Sequence, residues 1–210
     1  SKKILMAYMG PSAGGKDTTL TLAKVTHGDL LDVIVTHTTK PKRPEDIQGV
    51  SYHFIDKERF TKMQERNELV ESLPQYDHIY ATSVAALEAS LQSTKPISLW
   101  RGEFIGWNNI AFWMERWKKR SGRDDVASLS VFILPEISGP TLFARILDKR
   151  LGEALEKRLV KAVAEVIAGG SADICVVNPS DASGKPVAAS EALEKLLEAL
   201  NDVVSQEGVR

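Results

Sequence analysis

Lys3 to Leu22 places the strongest constraint on what this chain folds into. An apolar run, Ile4-Leu5-Met6-Ala7-Tyr8-Met9, leads into Gly10-Pro11-Ser12-Ala13-Gly14-Gly15-Lys16-Asp17-Thr18, and Thr19 to Ala23 continues as a helix former. Strand, glycine loop and helix in that order satisfy the G-x-x-x-x-G-K half of a nucleotide phosphate loop. Glycines let backbone N–H groups turn inward around phosphates, the helix N-terminus favours the negative charge, and Lys16 reaches the terminal phosphates. Gly10, Ser12, Ala13, Gly14, Gly15, Lys16, Asp17 and Thr18 are the predicted phosphate-side residues. Asp17 stands where the usual motif has a hydroxyl that helps hold Mg²⁺; its carboxylate offers the hard oxygen that Mg²⁺ prefers, and Thr18 is a second candidate metal ligand.

Composition narrows the class. A chain of 210 residues suits a single domain with a substantial apolar interior. A net charge of −1 gives no reason to expect a nucleic-acid partner. The single cysteine, Cys175, excludes an internal disulfide, and its setting in Ile174-Cys175-Val176-Val177 predicts a buried structural thiol. No apolar run approaches the ~20 residues of a membrane span, and the first residues lack a secretory pattern, so a cytoplasmic protein is expected. Oligomeric state is not legible.

Strands and helices alternate along the chain. The first helix is expected to run to about Thr26, before a stop at His27-Gly28-Asp29, and Leu30 to Val35 reads as a strand. Thr36-His37-Thr38-Thr39-Lys40-Pro41-Lys42-Arg43-Pro44 is proline-punctuated and cationic, which excludes a helix interior. Val50 to Ile55 alternates as a strand, and Asp56 caps a helix with Phe60 and Met63 on one face. Glu68 to Glu71 reads as a short strand, and Ile79 to Ser83 leads into a helix from Val84 to Gln92. Trp113 and Trp117, with Ile110 and Met114, form the apolar stripe of a helix over Glu103 to Lys119. Val131 to Pro135 and Asp173 to Asn178 are buried-strand runs. Thr141 to Ile167 is helical in pattern, with an interruption near Asp148 to Gly152, and Ala188 to Val204 is a terminal amphipathic helix. After a phosphate loop, such alternation predicts an α/β fold with a parallel sheet.

GPSAGGKDT, THTTKPKRPEDIQGVSYHF, ELVES and YATS, in this order and spacing, resemble the guanylate kinase family over the first 83 residues. The resemblance implies a P-loop nucleoside-monophosphate kinase fold, with a parallel core sheet, helices on both faces, a small acceptor-binding insertion and a short lid. It places the core at 1–35 and 84–210, the insertion at 36–83 and the lid at about 148–156 of one kinase-like domain. It also implies transfer of a phosphoryl group from Mg-ATP to GMP. Lys40 and Arg43 occupy the two basic positions that face the acceptor phosphate, and Tyr52 and Tyr80 match the tyrosines that bind it. Glu71 matches the glutamate that accepts from guanine N1–H and its 2-amino group, and Thr36 and Thr82 match hydroxyls at the base. Lys16, Arg145, Arg150 and Arg158 become the catalytic candidates, the three arginines neutralising charge on the phosphoryl group in transit. Asn178 matches an asparagine near the ATP base.

The chain departs from the family after Leu99. Guanylate kinases carry an Asp-x-Asp pair at that strand end, and this chain reads Trp100-Arg101-Gly102-Glu103. Glu103 is the nearest carboxylate and takes the place of an acceptor ligand. Three readings stay open: GMP kinase; a kinase of the same fold for another phosphorylated acceptor, such as ribose 1,5-bisphosphate, whose phosphokinase the GKD loop also resembles; and a catalytically silent module that binds through the acceptor cleft.

Overall fold

The computed structural model describes residues 3–11, 14–75, 77–135, 161, 164 and 167–178. In chain order the elements are β1 (Lys3–Met9), α1 (Lys16–His27), β2 (Leu31–Val33), β3 (His37–Thr38), β4 (His53–Phe54), α2 (Lys57–Glu65), β5 (Leu69–Gln75), β6 (His78–Ser83), α3 (Val84–Gln92), β7 (Ile97–Arg101), α4 (Phe104–Ser121), β8 (Val126–Pro135) and β9 (Ile174–Asn178).

Among the described residues, five parallel strands build the core sheet in the order β2-β7-β1-β8-β9. The central strand β1 pairs with β7 on one side and β8 on the other, and is buried along its whole length. A strand covered on both faces has no solvent side to mark by alternation, hence the unbroken apolar run from Ile4 to Met9. Ile4, Met6 and Tyr8 pack with Leu20 and Ala23 of α1. Leu5, Ala7 and Met9 belong to a second cluster with Leu87 and Leu91 of α3 and Ile110, Met114 and Trp117 of α4. The core is therefore an α/β layer with helices on both faces, as the sequence implied. The tryptophan stripe serves this core, and Trp113 stacks on Trp117 with ring centroids 6.2 Å apart.

A second sheet, β4-β3-β6-β5, is built from residues between the core strands β2 and β7. It is antiparallel apart from the short β3/β4 pair. Asp56 caps α2 by accepting from the Arg59 N–H at 2.7 Å, and Phe60 and Met63 are the buried residues of that helix.

Four local expectations change. The strand expected over Val50 to Ile55 contracts to His53–Phe54, because Val50 and Ser51 turn back onto the Ile47 carbonyl at 3.1 and 2.8 Å. β5 runs on to Gln75; Pro74 is accommodated because this strand lies at the sheet edge, where no ladder donor is needed. β8 begins at Val126, five residues before the apolar run, its polar Ser130 satisfied by donating to Asp173 at 2.6 Å. Cys175 is exposed, not core. It lies on the edge strand β9, where Val176 turns inward and its neighbours turn out.

The expected lid, the terminal helix, Arg145, Arg150, Arg158, Ser12 and Ala13 lie outside the described residues, as do the side chains of Asp17, Thr18 and Asn178. Among the described residues no helix is long and apolar enough to cross a membrane.

Candidate active site

The carboxyl ends of β1, β7 and β8 open onto the crevice where parallel α/β sheets place ligands. From β1 the chain enters the glycine loop. A Cβ at Gly10 would lie 2.6 Å from the Ile133 carbonyl oxygen on the neighbouring strand, so only glycine lets loop and sheet approach this closely. Gly15 turns the chain into α1 with φ of 85°, in the left-handed region. The helix then begins at Lys16, whose ammonium folds back across the loop to the Gly10 carbonyl at 3.0 Å. Asp17 and Thr18 follow in the first turn of α1, and Thr19 is bonded to the Tyr8 hydroxyl, which ties the helix to β1. The described part of the loop, the start of α1 and the Lys16 ammonium thus lie together, the arrangement in which helix N-termini commonly hold anions.

Beside it lies a cavity of about 190 Å³ between the core and the second sheet, lined by Lys16, Thr36, Tyr52, Glu71, Tyr80 and Glu103 among others. The antiparallel register of β5 and β6 sets Glu71 opposite Thr82. Glu71 is only 7% exposed and accepts a hydrogen bond from the Thr82 hydroxyl at 2.5 Å. The indole N–H of Trp100 in turn donates to Thr82 Oγ1 at 2.9 Å. Thr82 is fully buried, and its hydroxyl, expected at the base, lies between the Trp100 indole and the Glu71 carboxylate. Burial raises the Glu71 pKa to about 7 against the opposing Thr82 hydrogen bond, and the negative charge of Glu103 adds to the rise. Glu103 precedes α4, accepts from Gln75 Nε2 and pairs with Lys161 at 2.5 Å.

A second cavity of about 250 Å³ adjoins the first and shares Tyr52 and Arg101 with it. Lys40, Arg43 and Asp46 line it from the insertion. Lys40 pairs with Asp46 at 3.1 Å, and the same carboxylate oxygen accepts from the Arg43 N–H at 3.0 Å. Burial works against the Asp46 carboxylate, but the Arg43 and Lys40 hydrogen bonds prevail and hold its pKa below the ordinary value. Tyr52 meets Tyr80 edge to face at 5.7 Å, with the Lys40 ammonium 5.4 Å from the Tyr52 ring centroid.

The predicted acceptor residues therefore gather around two adjoining spaces: Thr36, Glu71, Tyr80 and Glu103 at the first, Lys40 and Arg43 at the second, Tyr52 at both. Sequence reasoning missed Trp100, Gln75, Lys161 and Arg101. The arginine was visible as a charge at a strand end in place of the aspartate pair; Gln75 and Lys161 carried no local signal.

A guanylate kinase family model matches residues 2–100. Curated guanylate kinases align over most of the chain: that of Alkalilimnicola ehrlichii is 31% identical over 176 residues, covering 83% of this chain and 80% of the relative. The chain belongs to the guanylate kinase family. The guanylate kinase of Legionella pneumophila strain Paris is 32% identical over 176 residues, covering 83% of this chain and 78% of its own length. The crystal structure of guanylate kinase from Anaplasma phagocytophilum shares the fold with a TM-score of 0.61 at 16% identity, over all of this chain and 87% of that one. The family-model match of this guanylate kinase relative stops at Trp100, one residue before Arg101.

Proposed function

We propose that this guanylate kinase family enzyme is a phosphotransferase that moves the γ-phosphoryl group of ATP to GMP. The observation that carries the reading is Glu71, a buried carboxylate set into the cavity wall with one oxygen held by Thr82. Guanine presents N1–H and the 2-amino group side by side, and an ionised carboxylate is acceptor-only, so it suits that edge and is wrong for adenine. Thr36 stands at the same cavity, and the acceptor phosphate extends toward Tyr52, Tyr80, Lys40 and Arg43.

On the donor side the ATP phosphates lie in the loop from Gly10 through Ser12, Ala13, Gly14 and Gly15 to Lys16, with Asn178 near the base. Mg²⁺ accompanies ATP. Asp17 and Thr18 enter the first turn of α1 directly after Lys16, where hard oxygen donors suit that ion; the strand end supplies Arg101 and not a carboxylate. The ion's chemistry is neutralisation of phosphate charge. An oxygen of the GMP phosphate attacks Pγ, the bond from Pγ to the β,γ-bridging oxygen breaks, and ADP and GDP leave. Lys16 steadies the terminal phosphates, and Arg145, Arg150 and Arg158 neutralise charge on the group in transit.

The test incubates the protein with Mg-ATP and separately GMP, AMP, CMP, UMP or ribose 1,5-bisphosphate, and follows ADP release. Turnover concentrated on GMP is expected. Turnover on ribose 1,5-bisphosphate alone, or on no acceptor, would overturn the reading.

A further inference from the structure

Two cations of the second cavity belong to neither the loop nor the insertion. Arg101 ends β7 beside Tyr8 of β1, and Lys24 lies on α1, so both are fixed to the core sheet and its covering helix. The Arg101 guanidinium stands 4.9 Å from the centroid of the Tyr52 ring and lines both cavities. Lys24 lines the second cavity with it. Although Lys24 is exposed, its pKa lies below the ordinary lysine value, first through desolvation and then through repulsion from Arg101. From the insertion come Lys40 and Arg43, and among the described lining residues the carboxylate of Asp46 is engaged by Lys40 and by the Arg43 N–H.

Four cationic side chains around one small space draw an anion into it. A phosphate monoester brings about −1.5 to −2 charges and three acceptor oxygens, enough to face cations on several sides at once. We propose that Arg101 and Lys24 are acceptor-phosphate ligands supplied by the core, so that the phosphate sits between them and Arg43 of the insertion. Lys40, drawn toward Asp46, contributes less to the grip than its place in the motif implies. Arg101 is the central member: it offers a planar fork to phosphate oxygens, and its position on the wall common to both cavities sets the phosphate next to the space that Lys16 also faces. The inference rests on the acceptor reading above in placing a phosphate here, and does not require the base to be guanine.

The test compares wild type with Arg101→Gln, Arg101→Lys and Lys24→Gln. Three readouts are taken at low and high salt: KM for GMP, KM for ATP, and the thermal shift produced by ribose 5-phosphate, which carries the phosphate without a base. Arg101→Gln is expected to raise the GMP KM at least ~10-fold, the loss of a charge-assisted phosphate contact, with the ATP KM within about twofold. Arg101→Lys recovers part of the loss, Lys24→Gln costs about threefold, and both neutral variants flatten the salt dependence of GMP KM. The ribose 5-phosphate shift weakens in parallel. The proposal is overturned if Arg101→Gln leaves the GMP KM and the ribose 5-phosphate shift unchanged. It is also overturned if that variant lowers the Tm and raises both KM values equally, as a purely structural contact with Tyr52 would. A protein that ignores GMP yet loses its ribose 5-phosphate shift in Arg101→Gln would sink the GMP reading and leave this inference standing.

Discussion

The two cavities that meet at Tyr52 and Arg101 handle charge in opposite ways. In the first, a carboxylate is nearly sealed from water and held by a relay from Trp100 through Thr82 to Glu71. In the second, cations gather at a wetter loop, where Arg43 has a side chain 45% exposed. Burial makes the first sensitive to protonation; exposure makes the second sensitive to ionic strength. On the proposed reading, one pocket recognises a neutral base edge by hydrogen-bond pattern, while the other attracts a dianion with little regard to what carries it. Selectivity and grip are separable, and each can be broken alone.

The largest expected effect is on selectivity. Glu71→Gln puts an amide against the guanine donors, and the KM for GMP should rise about 10- to 100-fold while the ATP KM stays within about twofold, measured by steady-state ADP release. An unchanged preference for GMP over AMP would remove Glu71 from base recognition.

Next in size is a pH effect confined to the first cavity. With a pKa of about 7, Glu71 is mostly protonated at pH 6 and mostly ionised at pH 8. If Glu71 accepts from guanine as proposed, the ionised form is the one that binds, so the GMP KM should fall roughly tenfold across that range, beyond whatever part Glu71→Gln retains from titration of the substrate phosphate itself. The stability sign runs the other way. An acid whose folded pKa is raised binds more protons folded than unfolded between about 4.5 and 7, so its burial costs stability progressively as pH rises through that window. Glu71→Gln should therefore gain in Tm over wild type at pH 8, and the gain should vanish toward pH 4.5. A constant difference at both pH values would contradict the assigned shift.

Trp100→Phe removes the donor to Thr82 and one of two fused rings packed against Gly102 and Gly106. A loss of about 2–3 kcal/mol in chemical denaturation is expected from the hydrogen bond and the space left in the core, with a severalfold rise in GMP KM as Thr82 and Glu71 lose their fixed orientation. Asp46→Asn is the smallest change. It releases Lys40 toward the second cavity, so the acceptor KM should drop about two- to threefold at low salt and return to the wild-type value at high salt, with stability altered by less than ~1 kcal/mol.

Local chemistry made much of this legible. The β1–loop–α1 unit, the Asp56 cap of α2, and the β6–α3 junction, where the Ser83 hydroxyl accepts from the Ala86 N–H at 3.2 Å, are each written in contiguous residues. Glu71, Tyr52 and Tyr80 were legible as a set only through the resemblance of their segments to a family. Cys175 was misplaced because an apolar run looks alike on a central strand and on an edge strand; only the pairing β8-β9 distinguishes them. Thr82 was expected to face the base, and no local signal tells that Trp100, 18 residues on, occupies its oxygen.

The sequence by itself determined the phosphate loop, because glycine's conformational freedom, the helix start and the lysine reach act within one stretch of chain. Only the tertiary structure decided the charge of the two cavities. Glu103 is held by Gln75 and Lys161, Glu71 owes its pKa to the protein packed around it, and Arg101 meets Tyr52 across the boundary between core and insertion. Desolvation and ion pairing depend on which distant segments come together, and that is a property of the folded chain.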